Sequence, residues 1–426
     1  MIRSRLLSCL LLLLFLVISL VSISTVEACG GLFCQNVPVD QNAERIIFTQ
    51  NKDGTVTALI EIQFTGFAPD FSWILPIPNP IGQDDLAVPD TAQDAFNELQ
   101  QITNPVFIPP ERPRCAELDD SFFGADTAMS EAEGGVEVFA SGEVGPYGFD
   151  VIGSDDPNAL IDWLRQHNYR VTEPMIPLIN VYVQEGFVFL AMRLLPEEDA
   201  GSIAPIQITY DTDRPMIPLR LTAVAANPNM GVYVWFYADR QAVPVNYAHM
   251  EVADEELTFF TNGGNNYLQL VGQRADEFGG QAFITEFAGP AHEVTVANPL
   301  LIDMAQRYAY MTRMYTQISP EEMTVDPVFD YDPQRRDVSN VHDLRGKTGM
   351  WDCERSGEGQ SIINLPFLNS DQGSTPAGAG GAQAESGSSA KTLFIGFYLG
   401  GATIGLLGLL LLGGFLLARR SRRTEE

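Results

Sequence analysis

The chain has 426 residues and is strongly acidic, with 55 Asp and Glu against 25 Lys and Arg and a formal net charge of −30 at pH 7. A surface of that sign repels nucleic acid and other polyanions, which excludes them as partners. The length suffices for one large or two medium domains with a real apolar core.

The first residues, 1–28, read as a secretory leader. Arg3 and Arg5 precede an apolar run over 6–23, and Val26 and Ala28 put small side chains at the −3 and −1 positions of a cleavage site. Cleavage leaves Cys29 as the new N-terminus. Two other readings of this end are an uncleaved anchor and a lipid-bearing Cys29, for which Val26 and Glu27 are the wrong neighbours. Four cysteines remain after cleavage: Cys29, Cys34, Cys115 and Cys353. An even number outside the cell reads as two disulfides, with three connectivities open. Zinc is the lesser reading, since no pair shows C-x2-C spacing and no histidine stands near them.

Further along, the residues 45–50 and 55–65 are β-rich and flank Asn51-Lys52-Asp53-Gly54, which predicts a hairpin. Ile60, Ile62 and Phe64 alternate with polar residues, so one face is buried. An apolar strand over 71–78 follows, closed by Pro76 and Pro78. Helices are expected over 92–102, behind Thr91, and over 157–168, where Asp156 caps and Pro157 suits the first turn. The segment Pro174-Met175-Ile176-Pro177-Leu178 returns as Pro215-Met216-Ile217-Pro218-Leu219. Each copy is expected to lead into paired strands, 179–183 with 187–195 and 220–225 with 231–238, giving two related hairpins in one sheet system. Asn298 and Pro299 open a helix over 299–316, and Ser319-Pro320-Glu321-Glu322 is a capping-box turn.

The end of the chain reads as an anchor. Residues 370–392 form a Gly/Ser/Ala-rich stalk, and 393–418 contain no charge and exceed the roughly 20 residues a helix needs to span the bilayer. Arg419, Arg420, Arg422 and Arg423 mark the following tail, 419–426, as cytoplasmic. A stalk, span and Arg cluster also fit a sorting signal that is later cut. The expected class is therefore α+β and β-dominated, with antiparallel sheets and hairpins and three or four helices. Residues 29–369 form the extracytoplasmic part, in one piece or two subdomains, followed by one transmembrane helix.

Catalytic motifs are sparse. No Gly-x-Ser-x-Gly elbow occurs, Val296 stands where His292-Glu293 would need a second metal-binding histidine, and Val341 replaces the first glycine of a phosphate loop ending at Gly346-Lys347-Thr348. No dinucleotide fingerprint is present. Acidic pairs abound (Asp84-Asp85, Asp119-Asp120, Asp155-Asp156, Glu321-Glu322), and none stands out as a glycosidase pair. The best candidate for a cation is the loop with Asp326, Asp330 and Asp332, where calcium would find several oxygens, although the EF-hand glycine and bidentate Glu are missing.

Four segments together carry a family resemblance: Cys29-Gly30-Gly31-Leu32-Phe33-Cys34, Trp73-Ile74-Leu75-Pro76-Ile77-Pro78, Glu322-Met323-Thr324-Val325-Asp326-Pro327-Val328-Phe329 and Asp337-Val338-Ser339-Asn340-Val341-His342. The chain resembles bacterial domain of unknown function 2330 over 29 to about 365. The resemblance implies an exported bacterial protein, often with a C-terminal span, and implies no activity or catalytic residue. The expected function is a membrane-anchored extracytoplasmic binding or cell-envelope module without enzymatic activity, whose partner would be an envelope or extracellular protein. The alternative is an extracellular carboxylate-dependent hydrolase, cation-assisted.

Overall fold

The computed structural model describes residues 40–65, 71–112, 137–198, 200–261 and 264–353, all within the compact unit Met1–Pro366. The leader 1–28, Cys29, Cys34, Cys115, the pair Asp119-Asp120, the stalk 370–392, the span 393–418 and the tail 419–426 lie outside the described residues. Among the described residues no helix is long and apolar enough to cross a membrane.

A hairpin opens the fold, with β1 (Asp40–Gln50) antiparallel to β2 (Thr55–Thr65). Its turn favours a glycine, because Gly54 sits at φ +93, a backbone conformation that residues with a side chain rarely adopt. Next come β3 (Ser72–Ile77), the two-residue β4 (Leu86–Ala87) and helix α1 (Ala92–Thr103). A second hairpin, β5 (Glu137–Val144) and β6 (Tyr147–Gly153), leads to α2 (Pro157–Gln166), α3 (Met175–Gln184), β7 (Val188–Leu194) and β8 (Ile206–Asp211). The short α4 (Leu219–Thr222) precedes β9 (Ala226–Ala238) and β10 (Ala248–Met250). The last large elements are α5 (Tyr267–Asp276), β11 (Ala282–Pro290), α6 (Pro299–Arg307) and β12 (Tyr310–Ile318).

Two sheets organise these strands. The larger has the order β10-β11-β12-β9-β1-β2-β8-β4 and the smaller β3-β7-β6-β5. Within the larger, β1–β9 and β10–β11 are parallel and the remaining pairs antiparallel, so the sheet is mixed. The smaller is antiparallel throughout. Its edge strand is β3, which suits Pro76, since a proline has no N–H to give a second neighbour.

The sheets pack face to face. Ile46, Phe48, Ala58, Ile60, Val234 and Phe236 of the larger share one buried cluster with Trp73, Leu75, Ile77, Phe149, Leu190 and Met192 of the smaller. The far side of the smaller sheet, with Ile74, Phe189 and Ala191, packs on Leu160, Ile161 and Leu164 of α2 and on Ile179 and Tyr182 of α3. Helix α1 covers the far side of the larger: its Phe96 ring lies 6.1 Å from that of Trp235, whose Nε1 donates to Thr103 Oγ1 at 3.0 Å. The layers therefore run helix, sheet, sheet, helix, and successive side chains on one strand enter different layers.

Several sequence expectations hold. The hairpin, the 71–78 strand, α1 and α2 stand where they were read, and Asp156 Oδ1 accepts from Asn158 N at 2.9 Å as the α2 cap. Others need correction. Six α-helices occur among the described residues rather than three or four. Residues 179–183, expected as a strand, belong to α3. Their β-branched residues suggested a strand, but Met175, Ile179, Tyr182 and Val183 fall on one helical face and are buried. Pro174 and Pro177 sit at the start of that helix, where a missing N–H costs nothing. Residues 220–225 likewise hold α4 rather than a strand. The two Pro-Met-Ile-Pro-Leu copies thus do not open equivalent hairpins, and β7 and β9 enter different sheets. The helix expected over 299–316 stops at Arg307, although Asn298 does cap it, its Oδ1 accepting from Leu300 N at 2.9 Å. Residues 310–318 become β12 because β9 and β11 offer hydrogen bonds on both sides.

Two ion pairs are buried under the helices on the far side of the larger sheet. Arg45 pairs with Glu61, directly opposite it on β2. Arg313 lies 2.6 Å from Glu286, both with side chains 1% exposed, and Tyr267 Oη donates to Glu286 Oε1 at 2.6 Å. Removing one partner strands a charge, whereas removing both does not. Arg313→Met should therefore cost about 3–5 kcal/mol in equilibrium urea unfolding, and the double variant Glu286→Leu/Arg313→Met should recover most of that loss.

Candidate binding site

Between the two sheets lies a cavity of about 520 Å³, within the range of roughly 300–1,000 Å³ usual for small-molecule sites. Its floor comes from the larger sheet, where Ile46 and Phe48 (β1), Ala58 and Ile60 (β2) and Ile208 and Tyr210 (β8) project on one face. Leu75, Pro76 and Ile77 of β3 form the opposite wall. Met216, Pro218, Phe187 and residues 324–328 complete the rim.

One carboxyl side chain sits on this floor. Glu44 is in phase with Ile46 and Phe48 on β1 and so faces the cavity. It is only 3% exposed, its cross-strand neighbours are Val232 and Ile62, and its Oε2 has no hydrogen-bond partner among the described residues. A second, much smaller void beside it is bounded by Trp73, Leu221 and Thr222. Burial without a compensating cation pushes the Glu44 carboxyl up to about 7. The adjacent Arg45 points the other way, where Glu61, Asn97 and the Phe96 ring receive it.

At the rim, Arg220 holds a fork of acceptors. Its Nε donates to Asp326 Oδ2 at 2.8 Å and its Nη1 to Glu185 Oε1 at 2.8 Å. Its backbone N donates to Asp326 Oδ1 at 3.0 Å. Tyr182 Oη donates to the same Oδ1 at 2.8 Å, and the Arg220 guanidinium lies 4.4 Å from the centre of the Tyr182 ring. Both proline-rich copies feed this fork: the helix begun by the first brings Tyr182 and Glu185, and the second brings Arg220. Residues 324–328 are pinned alongside, since Ile217 N donates to Pro327 O at 3.1 Å and Phe329 N to Pro215 O at 2.9 Å. Arg214 and Asp330, half-exposed, pair at 2.9 Å nearby.

The structure separates the three carboxylates read as a cation loop. Asp326 is buried in the Arg220 fork, and Asp330 lies on a short strand, Phe329–Asp332, with its carboxylate on Arg214. Asp332, at the end of that strand, accepts from Gln334 N at 2.8 Å. Among the described residues no group of three or more His, Cys, Asp or Glu is placed to hold a metal. The described acidic pairs do local work: Asp85 accepts from Gly82 N at 2.8 Å, Asp156 caps α2, and Glu322 accepts from Ser319 N at 2.9 Å. None lines the cavity. Lys347 of the phosphate-loop look-alike is held by Asp254 and Glu255 at 3.2 and 2.8 Å.

Glu44 and Arg220 escaped the sequence reading. Glu44 lies one residue before the strand predicted at 45, and its alternation with Ile46 and Phe48 is the signal that places it inside. Nothing local marks Arg220, whose partners stand 35 and 106 residues away.

Comparison with known proteins yields one family match. A family model described as DUF2330, an uncharacterized protein conserved in bacteria, matches residues 24–330. No curated protein matches the chain. Among solved structures, a mutated baculovirus P35 after caspase cleavage is similar at 11% identity and TM-score 0.29, covering 48% of this chain and 77% of that one. The caspase-8/P35 complex is similar at 9% identity and TM-score 0.28, covering 70% and 96%. At such TM-scores neither likeness carries an argument about fold or activity.

Two outcomes test the site's energetics. The Glu44 carboxyl rises from 4.5 to about 7 on folding, so the native state binds this proton more tightly than the unfolded chain. Its contribution is harmless below pH 4.5 and becomes destabilising as pH rises through 7, by about 3 kcal/mol at full ionisation. Urea titrations from pH 4 to 8 should show Glu44→Gln gaining stability over the natural chain as pH rises, and equal slopes would refute the assignment. Arg220→Met strands Asp326, and its unfolding free energy in the same urea titrations should fall by about 3 kcal/mol.

Proposed function

We propose that the chain, which belongs to the bacterial family DUF2330, is a membrane-anchored extracytoplasmic binding module that takes a small, largely apolar ligand into the cavity between its sheets. One observation carries the reading: a cavity of about 520 Å³ lined by aliphatic and aromatic side chains, with one unpaired carboxylate on its floor. Apolar walls reward the burial of a ligand's body at roughly 25 cal/mol per Å², and a single polar group fixes its orientation. The export half of the proposal rests on the leader 1–28, the span 393–418 and the basic tail. The even set Cys29, Cys34, Cys115 and Cys353 supports an oxidising compartment, in which the four would pair as two bridges.

A carboxylate-dependent hydrolase would use Glu44 as its acid, for which a value near 7 is suitable. It would also need a second free carboxylate in the cavity. Asp326 and Glu185 instead give their oxygens to Arg220, which favours binding. Calcium at Asp326, Asp330 and Asp332 belongs with that alternative, and a melting midpoint unmoved by chelator removes it.

Native mass spectrometry of the protein isolated from its own envelope should show a small-molecule adduct that Ala58→Phe, which fills the cavity, abolishes while the fold persists by circular dichroism. No adduct and no ligand-induced shift in melting would sink the binding reading. The same spectra should give a denatured mass for a chain starting at Cys29 and ending at Glu426, and a shorter C-terminus would replace the anchor with a cleaved sorting signal.

A further inference from the structure

Four carboxylates are buried among the described residues: Glu44, Glu61, Glu286 and Asp326. Three of them have an arginine, since Glu61 meets Arg45, Glu286 meets Arg313 and Asp326 meets Arg220. Glu44 has none, and it is the one of the four that lies on the cavity floor while the pair at the rim is satisfied without it. An unpaired buried carboxylate is costly, and the cost disappears when a cation supplies the missing hydrogen bonds. In this fold the cation must come from outside, because both arginines of the cavity are already committed, Arg220 to Asp326 and Glu185 and Arg214 to Asp330.

The remaining groups that face Glu44 across the cavity do not alter this balance. Tyr210 on β8 is a buried phenol that burial keeps protonated, and β3 contributes only Leu75, Pro76 and Ile77. With Glu44 ionised, the charges at the cavity and their ion-pair partners (Glu44, Glu185, Asp326 and Asp330 against Arg214 and Arg220) sum to two uncompensated negative charges, within a chain whose net charge of −30 draws cations toward it. A ligand with a carboxylate or phosphate would add to that negative charge.

We propose that the cavity takes an apolar small molecule bearing one primary or secondary amine, whose ammonium group donates to the Glu44 carboxylate while its hydrocarbon body fills the space between the sheets. This rests on the reading of the cavity as a ligand site and names the class of ligand. Binding of the cation favours the ionised carboxylate, so the complex releases a proton near pH 6.5, and affinity rises as pH moves from 5.5 to 8.

Isothermal titration of the full chain in zwitterionic nanodiscs, with empty discs subtracted, tests this with 4-phenylbutylamine, 4-phenylbutan-1-ol and 4-phenylbutanoate. At pH 8 the amine should bind at least about tenfold more tightly than the alcohol, and the carboxylate should not bind detectably. In Glu44→Gln the amine's advantage over the alcohol should vanish. In the natural chain, titrations at pH 6.5 in two buffers of different ionisation enthalpy should report proton release with the amine and none with the alcohol, which needs no variant to fold. Equal binding of amine and alcohol without proton release, or an amine preference that survives in Glu44→Gln, overturns the amine assignment and leaves the cavity reading standing. Binding of none of the three overturns both.

Discussion

Strand β1 lies inside the larger sheet, with β2 on one side and β9 on the other, and residues 43–49 along it are all buried. Its pleat sends Arg45, Ile47 and Thr49 toward the helices and Glu44, Ile46 and Phe48 toward the second sheet. Two adjacent ionisable residues are thereby buried in two different layers. Arg45 meets Glu61 straight across the ladder, while Glu44 meets Ile62. A one-residue slip of register would exchange these environments and put Ala43 or Arg45 where Glu44 now sits, so the register of this strand fixes both the stability of the helix-side layer and the chemistry of the cavity.

The cavity stays open because what surrounds it is tied elsewhere. Arg220 binds the end of α3, its own short helix and residues 324–328 into one rim, and Tyr182 closes the fork from beneath. Asp326, read from the sequence together with Asp330 and Asp332 as a cation loop, is a cross-link between segments distant in sequence. Its oxygens are occupied by donors of this chain. Among the buried carboxylates of the described residues, the one without an arginine is Glu44 on the cavity floor.

The pairing of the buried charges also separates support from function. The ion pairs Arg45–Glu61 and Arg313–Glu286 lie under the helices, away from the cavity, and neighbouring side chains add hydrogen bonds to each. Such pairs contribute little net stability yet punish the loss of either member, which makes them fixed points of the layer they occupy. Glu44 follows a different logic, since the fold tolerates its uncompensated burial next to a void rather than within close-packed side chains.

The sequence by itself determined the features whose cause is local. The turn at Asn51-Lys52-Asp53-Gly54, the edge strand with Pro76, the caps Asp156 and Asn298 and the capping box at Ser319 are each set by residues a few positions apart, and all are present. Family membership was likewise legible in the segments around Trp73 and Asp326. Tertiary structure alone decided the rest. Residues 179–183 are β-rich in composition but helical, because burying Ile179 and Tyr182 on the second sheet outweighs a weak strand preference. Residues 310–318 form a strand because two neighbouring strands were waiting for a partner. Whether a buried charge finds its counterpart is likewise a matter of which strand lies opposite, and that choice, made between residues far apart in the chain, gives Arg45 a partner and leaves Glu44 without one.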